Sequence, residues 1–167
     1  MIFSKPNNKE TCIPIGSTLK TLFVAGTASF LMAGFAIAED QGTLAEAEAM
    51  AKKAVAFINA NGPEKAAEEF TNGKGFKDRN LYISYLDFTG KMLAHGSNPE
   101  LVGKDLIDLK DPEGKFMVKM AIDVAKTKGR GWTENYKFKN QTTEKLQEKA
   151  MYVERVGDTY VGVDIYK

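Results

Sequence analysis

Cysteine and histidine are nearly absent from this chain of 167 residues, which contains one of each. The cysteine, Cys12, lies near the amino terminus, so residues 39–167 have no thiol for a disulfide or a thiolate metal site. With His95 as its one histidine, the chain could bind zinc only through carboxylates, which is unusual. We therefore expect no metal, no cofactor and a fold stabilised by its apolar core.

Catalytic motifs are missing as well. The sequence has no glycine-rich phosphate loop, no His-Glu-x-x-His pair and no nucleophile elbow that would use His95 as its base. No motif brings a nucleophile, a base and an orienting group together, so the sequence predicts a binding protein and no enzyme. Catalysis with His95 as general base remains a third hypothesis.

Long apolar runs are limited to one segment, residues 22–38, which follows a lysine-bearing leader and ends in the small-x-small pattern Ala36-Ile37-Ala38. This pattern is typical of a secretory signal peptide. We expect residues 1–38 to be removed after Ala38, which leaves one periplasmic domain of residues 39–167. The alternative is an uncleaved anchor, although 17 residues that include two glycines are short for a membrane span.

An excess of positive charge is also lacking. Residues 1–38 carry three lysines and one glutamate, so the rest of the chain has 20 basic and 21 acidic side chains and a net charge of −1. Nucleic-acid binding usually requires a basic patch or stripe. We expect no nucleic-acid partner.

The remaining residues alternate between helical and strand patterns. A capping box at Thr43 and apolar residues at helical spacing predict a long first helix to Asn61, and Pro63 begins a short second helix to Phe70. Strands are predicted at 81–87, 91–95, 131–138, 148–156 and 159–166, with an ordered loop at 96–113 and a helix from Phe116 to about Lys128. This order predicts an α+β fold around an antiparallel sheet.

Several segments resemble a known family when they are taken in order. They are residues 82–95, 98–106, 108–115, 129–134 and 149–152, the last containing Lys149-x-x-Tyr152. Over residues 44–166 the chain resembles the single Cache domain of the second type, an extracytoplasmic sensor module of bacterial chemoreceptors and kinases. The resemblance implies a PAS-like fold with a long amino-terminal helix on a five-stranded antiparallel sheet. A short organic acid would lie between the other sheet face and residues 96–129.

The hairpin register suggests which residues would meet that ligand. A two-residue turn at 89–90 would place Ser84 opposite His95. One face would then carry Tyr82, Ser84, Leu86, Leu93 and His95, and the face under the first helix would carry Ile83, Tyr85, Met92 and Ala94. A buried carboxylate needs donors and a compensating charge. We therefore predict a ligand site made of Tyr82, Ser84, His95, Trp132, Lys149 and Tyr152.

Several of these assignments have an open alternative. His95 could instead bond a backbone carbonyl at the strand end, Trp132 could belong to the core, and Lys149 could be solvated. Lys149 and Tyr152 alternate to opposite faces of a regular strand, so both reach one pocket only through a bulge or from a strand edge.

The leading functional hypothesis is an exported domain that captures a small organic anion without chemistry and passes its occupancy to a membrane receptor or kinase. We expect no output domain of its own, because the transmembrane helix and cytoplasmic domain usual in the family do not follow the last strand. The second hypothesis is a pocketless PAS-like interaction module that binds a membrane partner or forms a homodimer through the alanine-rich first helix.

Overall fold

The computed structural model describes residues 41–140 and 144–167. The expected signal peptide, its cleavage after Ala38 and Cys12 all lie outside the described residues. Within the described part of the chain, every helix is too short or too polar to cross a bilayer.

The helices begin and end where local sequence signals place them. Helix α1, Leu44–Asn61, starts with a capping box in which the Thr43 hydroxyl accepts the Glu46 N–H and the Glu46 carboxylate accepts the Thr43 N–H. Helix α2, Pro63–Asn72, begins on a proline, whose missing N–H costs nothing in the first turn. Helix α3 spans Met117–Thr127, and a short 3₁₀ helix spans Pro99–Leu101.

The strands form one antiparallel sheet, which confirms the α+β fold. Strands β2, β7 and β6 lie side by side in its centre; β1 and β3 pair with β2, and β4 and β5 pair with β6. In chain order the strands are β1 Lys77–Asp78, β2 Leu81–Asp87, β3 Met92–His95, β4 Arg130–Trp132, β5 Tyr136–Lys139, β6 Leu146–Val156 and β7 Thr159–Tyr166.

The described residues thus form seven strands where five were expected. The short β1 is additional, and the strand predicted at 131–138 is divided into β4 and β5. The division occurs at Thr133, whose N–H donates to the Met151 carbonyl. The Met151 N–H donates in return to the Thr133 hydroxyl and not to its backbone carbonyl. Because that hydroxyl replaces a backbone carbonyl, the regular ladder stops there.

The sheet separates two apolar clusters. On one face, α1 contributes small residues such as Ala47, Ala51 and Ala54, which let the helix approach Ile83 and Val163 closely. On the other face, α3 packs Val118, Ala121 and Ile122 over Leu86 and Val153. Alternate residues of each strand therefore serve different halves of the molecule.

One bulge in the β2–β3 hairpin changes the predicted faces. Ser84 pairs with His95 as expected, but the register shifts so that Leu86 pairs with Met92 and Leu93 is the extra residue. Met92 belongs to the cluster on the α3 side, and Leu93 packs against the cluster on the α1 side. The predicted faces of these two residues are wrong, because a bulge reverses the alternation of a strand.

Candidate ligand-binding site

A cavity of about 90 Å³ lies between the α3 side of the sheet and residues 99–118, which we call the cover. Its volume is several times the roughly 10–15 Å³ that one water molecule requires, so it suits a small organic molecule. The sheet side includes Tyr82, Ser84, Leu86, Tyr136, Lys149, Met151, Tyr160 and Asp164; the cover side includes Leu101, Leu106, Leu109, Met117 and Val118. The cavity lies in the place that the family resemblance implies.

Backbone hydrogen bonds attach the first part of the cover to the hairpin. The Gly103 N–H donates to the Met92 carbonyl at 2.7 Å, and the Leu106 N–H donates to the Gly90 carbonyl at 2.9 Å. Gly90 has a φ of 95°, and a methyl group there would lie 2.6 Å from Ile107 Cβ. Glycine is therefore required at this junction both for its backbone conformation and for the close approach of the cover.

The second part of the cover is attached by Asp111. Its Oδ1 accepts the N–H groups of Glu113 and Lys115, and its Oδ2 accepts the N–H of Lys137 on β5 at 3.0 Å. This carboxylate connects the cover to the sheet beside Leu109 and thereby shapes the cavity wall. Sequence reasoning missed the role of Asp111, although a turn at Asp-Pro was recognisable.

Lys149 is the buried cation of the cavity. Its side chain is 4% exposed, and its Nζ lies 3.6 Å from Asp164 Oδ2 and within 6 Å of three aromatic ring centres, those of Tyr166, Phe138 and Tyr82. Burial opposes the charge, but the Asp164 carboxylate together with Tyr82 and Tyr166 outweighs it and raises the pKa of Lys149 above its usual range. Lys149 is therefore an ammonium group at every physiological pH.

Asp164 and Tyr136 complete this polar end and were not predicted. The Tyr136 hydroxyl donates to Asp164 Oδ1, so both carboxylate oxygens are engaged, one by the phenol and one by Lys149. Burial, and then the negative charge of Asp164, raises the pKa of Tyr136 well above that of an exposed phenol. A single acid within the otherwise apolar strand β7 was the available sequence signal.

His95 enters the cavity as a neutral donor. Its Nδ1 accepts the Asn98 N–H at 2.9 Å, so the ring hydrogen resides on Nε2. Burial lowers the pKa of His95 to about 4, with Asp164 opposing the shift and Lys149 adding to it. The partner at the strand end is thus a backbone N–H, and within residues 41–140 and 144–167 His95 has no bond to the backbone carbonyl considered from the sequence.

Tyr82 and Ser84 lie on the same face of β2. The Tyr82 ring centre is 5.0 Å from that of His95, and burial, followed by the charge of Asp164, raises the pKa of its hydroxyl. Ser84 is buried between His95 on β3 and Gly162 on β7. Four of the six residues predicted for the site, Tyr82, Ser84, His95 and Lys149, therefore line one cavity.

Trp132 and Tyr152 lie outside the cavity, which corrects the prediction that they line it. They pair across β4 and β6 with ring centres 5.3 Å apart and pack into the cluster on the α1 side. The Trp132 Nε1–H donates to Glu48 of α1 at 3.2 Å. Strand β6 pairs with β7 without interruption from Lys149 to Val156, so Tyr152 faces away from Lys149.

Known proteins share this architecture. A family model described as single Cache domain 2 matches residues 27–166. The crystal structure of a methyl-accepting chemotaxis protein from Vibrio parahaemolyticus RIMD 2210633 is 26% identical, with a TM-score of 0.61, and the match covers 73% of this chain and 86% of that chain.

Two further solved structures have the same fold at lower identity. One is a periplasmic sensor domain of a chemotaxis protein, with 21% identity, a TM-score of 0.58 and coverage of 73% of this chain and 88% of that chain. The other was solved as a Cache chemosensory domain that recognises carboxylic acids, with 22% identity, a TM-score of 0.57 and coverage of 73% and 86%.

Proposed function

The chain belongs to the single Cache domain 2 family, and from this membership we propose that it binds a short organic carboxylate in the cavity between its sheet and its cover. The family consists of sensor-type domains that bind small molecules. The choice of a carboxylate for this chain rests on the chemistry of Lys149.

The proposal rests on an N–H donor of Lys149 that remains available for a ligand. An ammonium group has three donors. The distance of 3.6 Å to Asp164 exceeds an ordinary hydrogen bond. Tyr82 and Tyr166 also raise the pKa of Lys149, but of these two only Tyr82 does so through a hydrogen bond. At least one N–H of this buried cation therefore remains for a ligand oxygen, and a charged acceptor makes the strongest bond to it.

A cationic ligand fits the same site poorly. The Asp164 carboxylate already accepts the Tyr136 hydroxyl and forms an ion pair with Lys149, and an added ammonium group would meet the charge of Lys149 at close range. The neutral His95 Nε2–H and the protonated Tyr82 hydroxyl add donors without adding charge. This donor set favours an anion.

The apolar side chains of the cover limit the size and polarity of the ligand beyond its carboxylate. Leu101, Leu109 and Met117 face the cavity from the cover, and Leu86 faces it from β2. Together with a volume of about 90 Å³, these side chains favour an acid of about two to four carbons. A carboxylic acid is also the ligand class recognised by one of the structural neighbours.

We also propose where the domain acts. The signal-peptide pattern of residues 22–38 supports export to the periplasm, and two structural neighbours are chemotaxis proteins. Occupancy of the cavity would then be passed to a membrane receptor or kinase. Amino-terminal sequencing of the protein recovered from the periplasm tests the export step, and we expect the chain to begin at Glu39.

The alternative of a pocketless interaction module gains less support. That hypothesis requires the side chains of the domain to fill the space between sheet and cover. The cavity and its buried ammonium group favour ligand binding instead.

The test is a titration of the full chain with acetate, propionate, butanoate, pyruvate and lactate, followed by calorimetry and thermal unfolding. An acid present at 100 times its Kd should add about 2.7 kcal/mol to the free energy of unfolding. The proposal fails if no acid in this set changes the melting temperature.

A double variant tests the role of Lys149. The changes Lys149→Met and Asp164→Asn remove both charges together, so that neither remains buried without its partner. We expect at least a tenfold weaker Kd, because a bond to a charged group contributes about 1.5–3 kcal/mol. The same pair of changes at the exposed ion pair Lys119–Asp108 is the matched control and should leave the Kd unchanged.

A further inference from the structure

A tyrosine that lines the cavity has a hydroxyl group without a partner in the described part of the chain. Among the described residues, three buried side-chain atoms make no hydrogen bond, namely Asn80 Nδ2, Glu154 Oε2 and the Tyr160 hydroxyl. Of these three residues, Tyr160 alone lines the cavity, and it is completely buried. A buried polar group normally has a partner, so the Tyr160 hydroxyl indicates that one is supplied from the cavity.

Strand register separates this hydroxyl from the charged end. Tyr160 and Asp164 lie on the same face of β7, and four residues of strand span about 13 Å. Tyr160 pairs with Leu86, which in turn pairs with Met92, so its row is apolar on the β2 side. On the β6 side it pairs with Arg155, whose guanidinium lies 5.1 Å from the Phe88 ring centre. The row of Asp164 faces Lys149 and Tyr136 instead.

The part of the sheet between Tyr160 and Asp164, which we call the Met151 floor, is apolar and is formed by Gly162 and Met151. Gly162 lies between Tyr160 and Asp164 on the same face of β7, and a methyl group there would lie 2.4 Å from Met151 Sδ. The Met151 side chain therefore packs directly against the backbone of Gly162, and it lines the cavity. A ligand that spans the cavity would meet charge at one end, a thioether in the middle and a phenol at the other end.

The surroundings of Tyr160 favour an uncharged partner. Burial raises the pKa of its hydroxyl, and the negative charges of Asp164 and Asp87 raise it further, so the phenol remains protonated. The same two carboxylates would repel a second acid group of the ligand. A hydroxyl or carbonyl oxygen carries no such penalty and can accept the phenol hydrogen.

We propose, on the basis of the carboxylate function above, that the ligand carries a second, uncharged oxygen that hydrogen-bonds the Tyr160 hydroxyl across the Met151 floor. The ligand class is then a hydroxy or oxo acid, bound by Lys149 at one end and by Tyr160 at the other. Tyr160 acts as a specificity residue, since a simple alkanoate would leave its hydroxyl unpaired.

The experiment compares acids of one chain length. Calorimetry on the full chain measures the Kd of butanoate, of 2-, 3- and 4-hydroxybutanoate and of 2-oxobutanoate. We expect 4-hydroxybutanoate, whose second oxygen lies farthest from its carboxylate, to bind about tenfold more tightly than butanoate, the gain typical of one well-placed hydrogen bond. In Tyr160→Phe this gain should disappear, so that the substituted acid and butanoate bind this variant with similar Kd values.

Tyr152→Phe is the matched control. It removes the same atom from a buried tyrosine on the opposite face of the sheet, and it should retain the full preference for the substituted acid. Tyr160→Phe deletes a hydroxyl that has no partner, so thermal unfolding should show a folded variant at least as stable as the parent chain.

The outcomes separate this inference from the function on which it rests. If butanoate binds but no substituted acid binds more tightly, or if the gain survives in Tyr160→Phe, the role of Tyr160 is refuted and the carboxylate function stands. If none of the acids binds, both proposals fall.

Discussion

At the scale of single residues, the cavity concentrates buried polar groups whose benefit to folding is small. Lys149 and Asp164 lose most of their hydration, and an ion pair in such a place often contributes little net stability. His95 and Tyr160 are buried in the same region, and the Tyr160 hydroxyl has no partner among the described residues. We infer that these groups serve ligand binding, because packing alone does not explain why they are buried.

The buried imidazole of His95 makes stability depend on pH. Its pKa of about 4 lies below the usual value of 6.5, so between these values the unfolded chain binds a proton that the folded chain excludes. The free energy of unfolding therefore keeps this contribution above pH 6.5 and loses it as the pH falls toward 4. The loss is on the order of 3 kcal/mol.

Urea unfolding between pH 4 and pH 7 measures this effect. His95→Asn is the comparison, because its side-chain oxygen can accept the Asn98 N–H and does not titrate. We expect the parent chain to lose more stability on acidification than the variant. Parallel pH profiles would contradict the assignment of a buried, neutral His95.

At the scale of secondary structure elements, side chains that alternate along each strand give the two sheet faces different roles. In β7, Val161, Val163 and Ile165 pack toward α1, while Tyr160 and Asp164 line the cavity. Between the last two, Gly162 leaves the space that Met151 occupies. The cavity thus depends on the absence of one side chain from the central strand.

Gly162→Ala should reduce the cavity. Its added methyl group would lie 2.4 Å from Met151 Sδ, so Met151 must move toward the ligand space. We expect a loss of about 1–3 kcal/mol in stability and a larger loss of affinity for butanoate than for acetate, because the longer acid needs more room. Calorimetry with both acids measures the ratio.

A second substitution provides the control for Gly162→Ala. Adding Met151→Ala removes the displaced side chain and should restore the binding of butanoate relative to acetate. If the single variant leaves the ratio of the two affinities unchanged, Met151 does not bound the ligand space.

At the scale of the whole molecule, the sheet separates a structural half from a binding half. On one side α1 and α2 pack on small and aromatic residues, and the bond from Trp132 to Glu48 holds α1 in place. On the other side the cover is attached by backbone bonds to Gly90 and Met92 and by the Asp111 carboxylate. A ligand would contact the sheet and the cover but not α1.

Hydrogen exchange should reveal this division. With butanoate at saturation, we expect slower amide exchange in the cover, residues 99–118, because the ligand adds contacts that local opening must break. Exchange in the middle of α1 should change much less. Equal protection of α1 and the cover would show that the ligand acts through global stability alone, and the variant Lys149→Met/Asp164→Asn should show neither effect.

Much of the fold could be predicted because its signals are local. The capping box at Thr43 and the proline at position 63 identify α1 and α2. The short turn at 89–90 was enough to pair Ser84 with His95. The bulge at Leu93 was not predictable, because it depends on how the hairpin meets the cover and β7, contacts that lie far away in sequence.

The sequence by itself determined the helices, the α+β class and a set of residues, Tyr82, Ser84, His95 and Lys149, that converge on one cavity. Periodicity and turn chemistry act between near neighbours in the chain, so they can be recognised without a structure. Tertiary structure alone decided that Asp164 and Tyr136 face Lys149, that Trp132 and Tyr152 support α1, and that the Tyr160 hydroxyl is unpaired among the described residues. These relations depend on which strands lie side by side, and that pairing arises only when distant segments pack into one sheet.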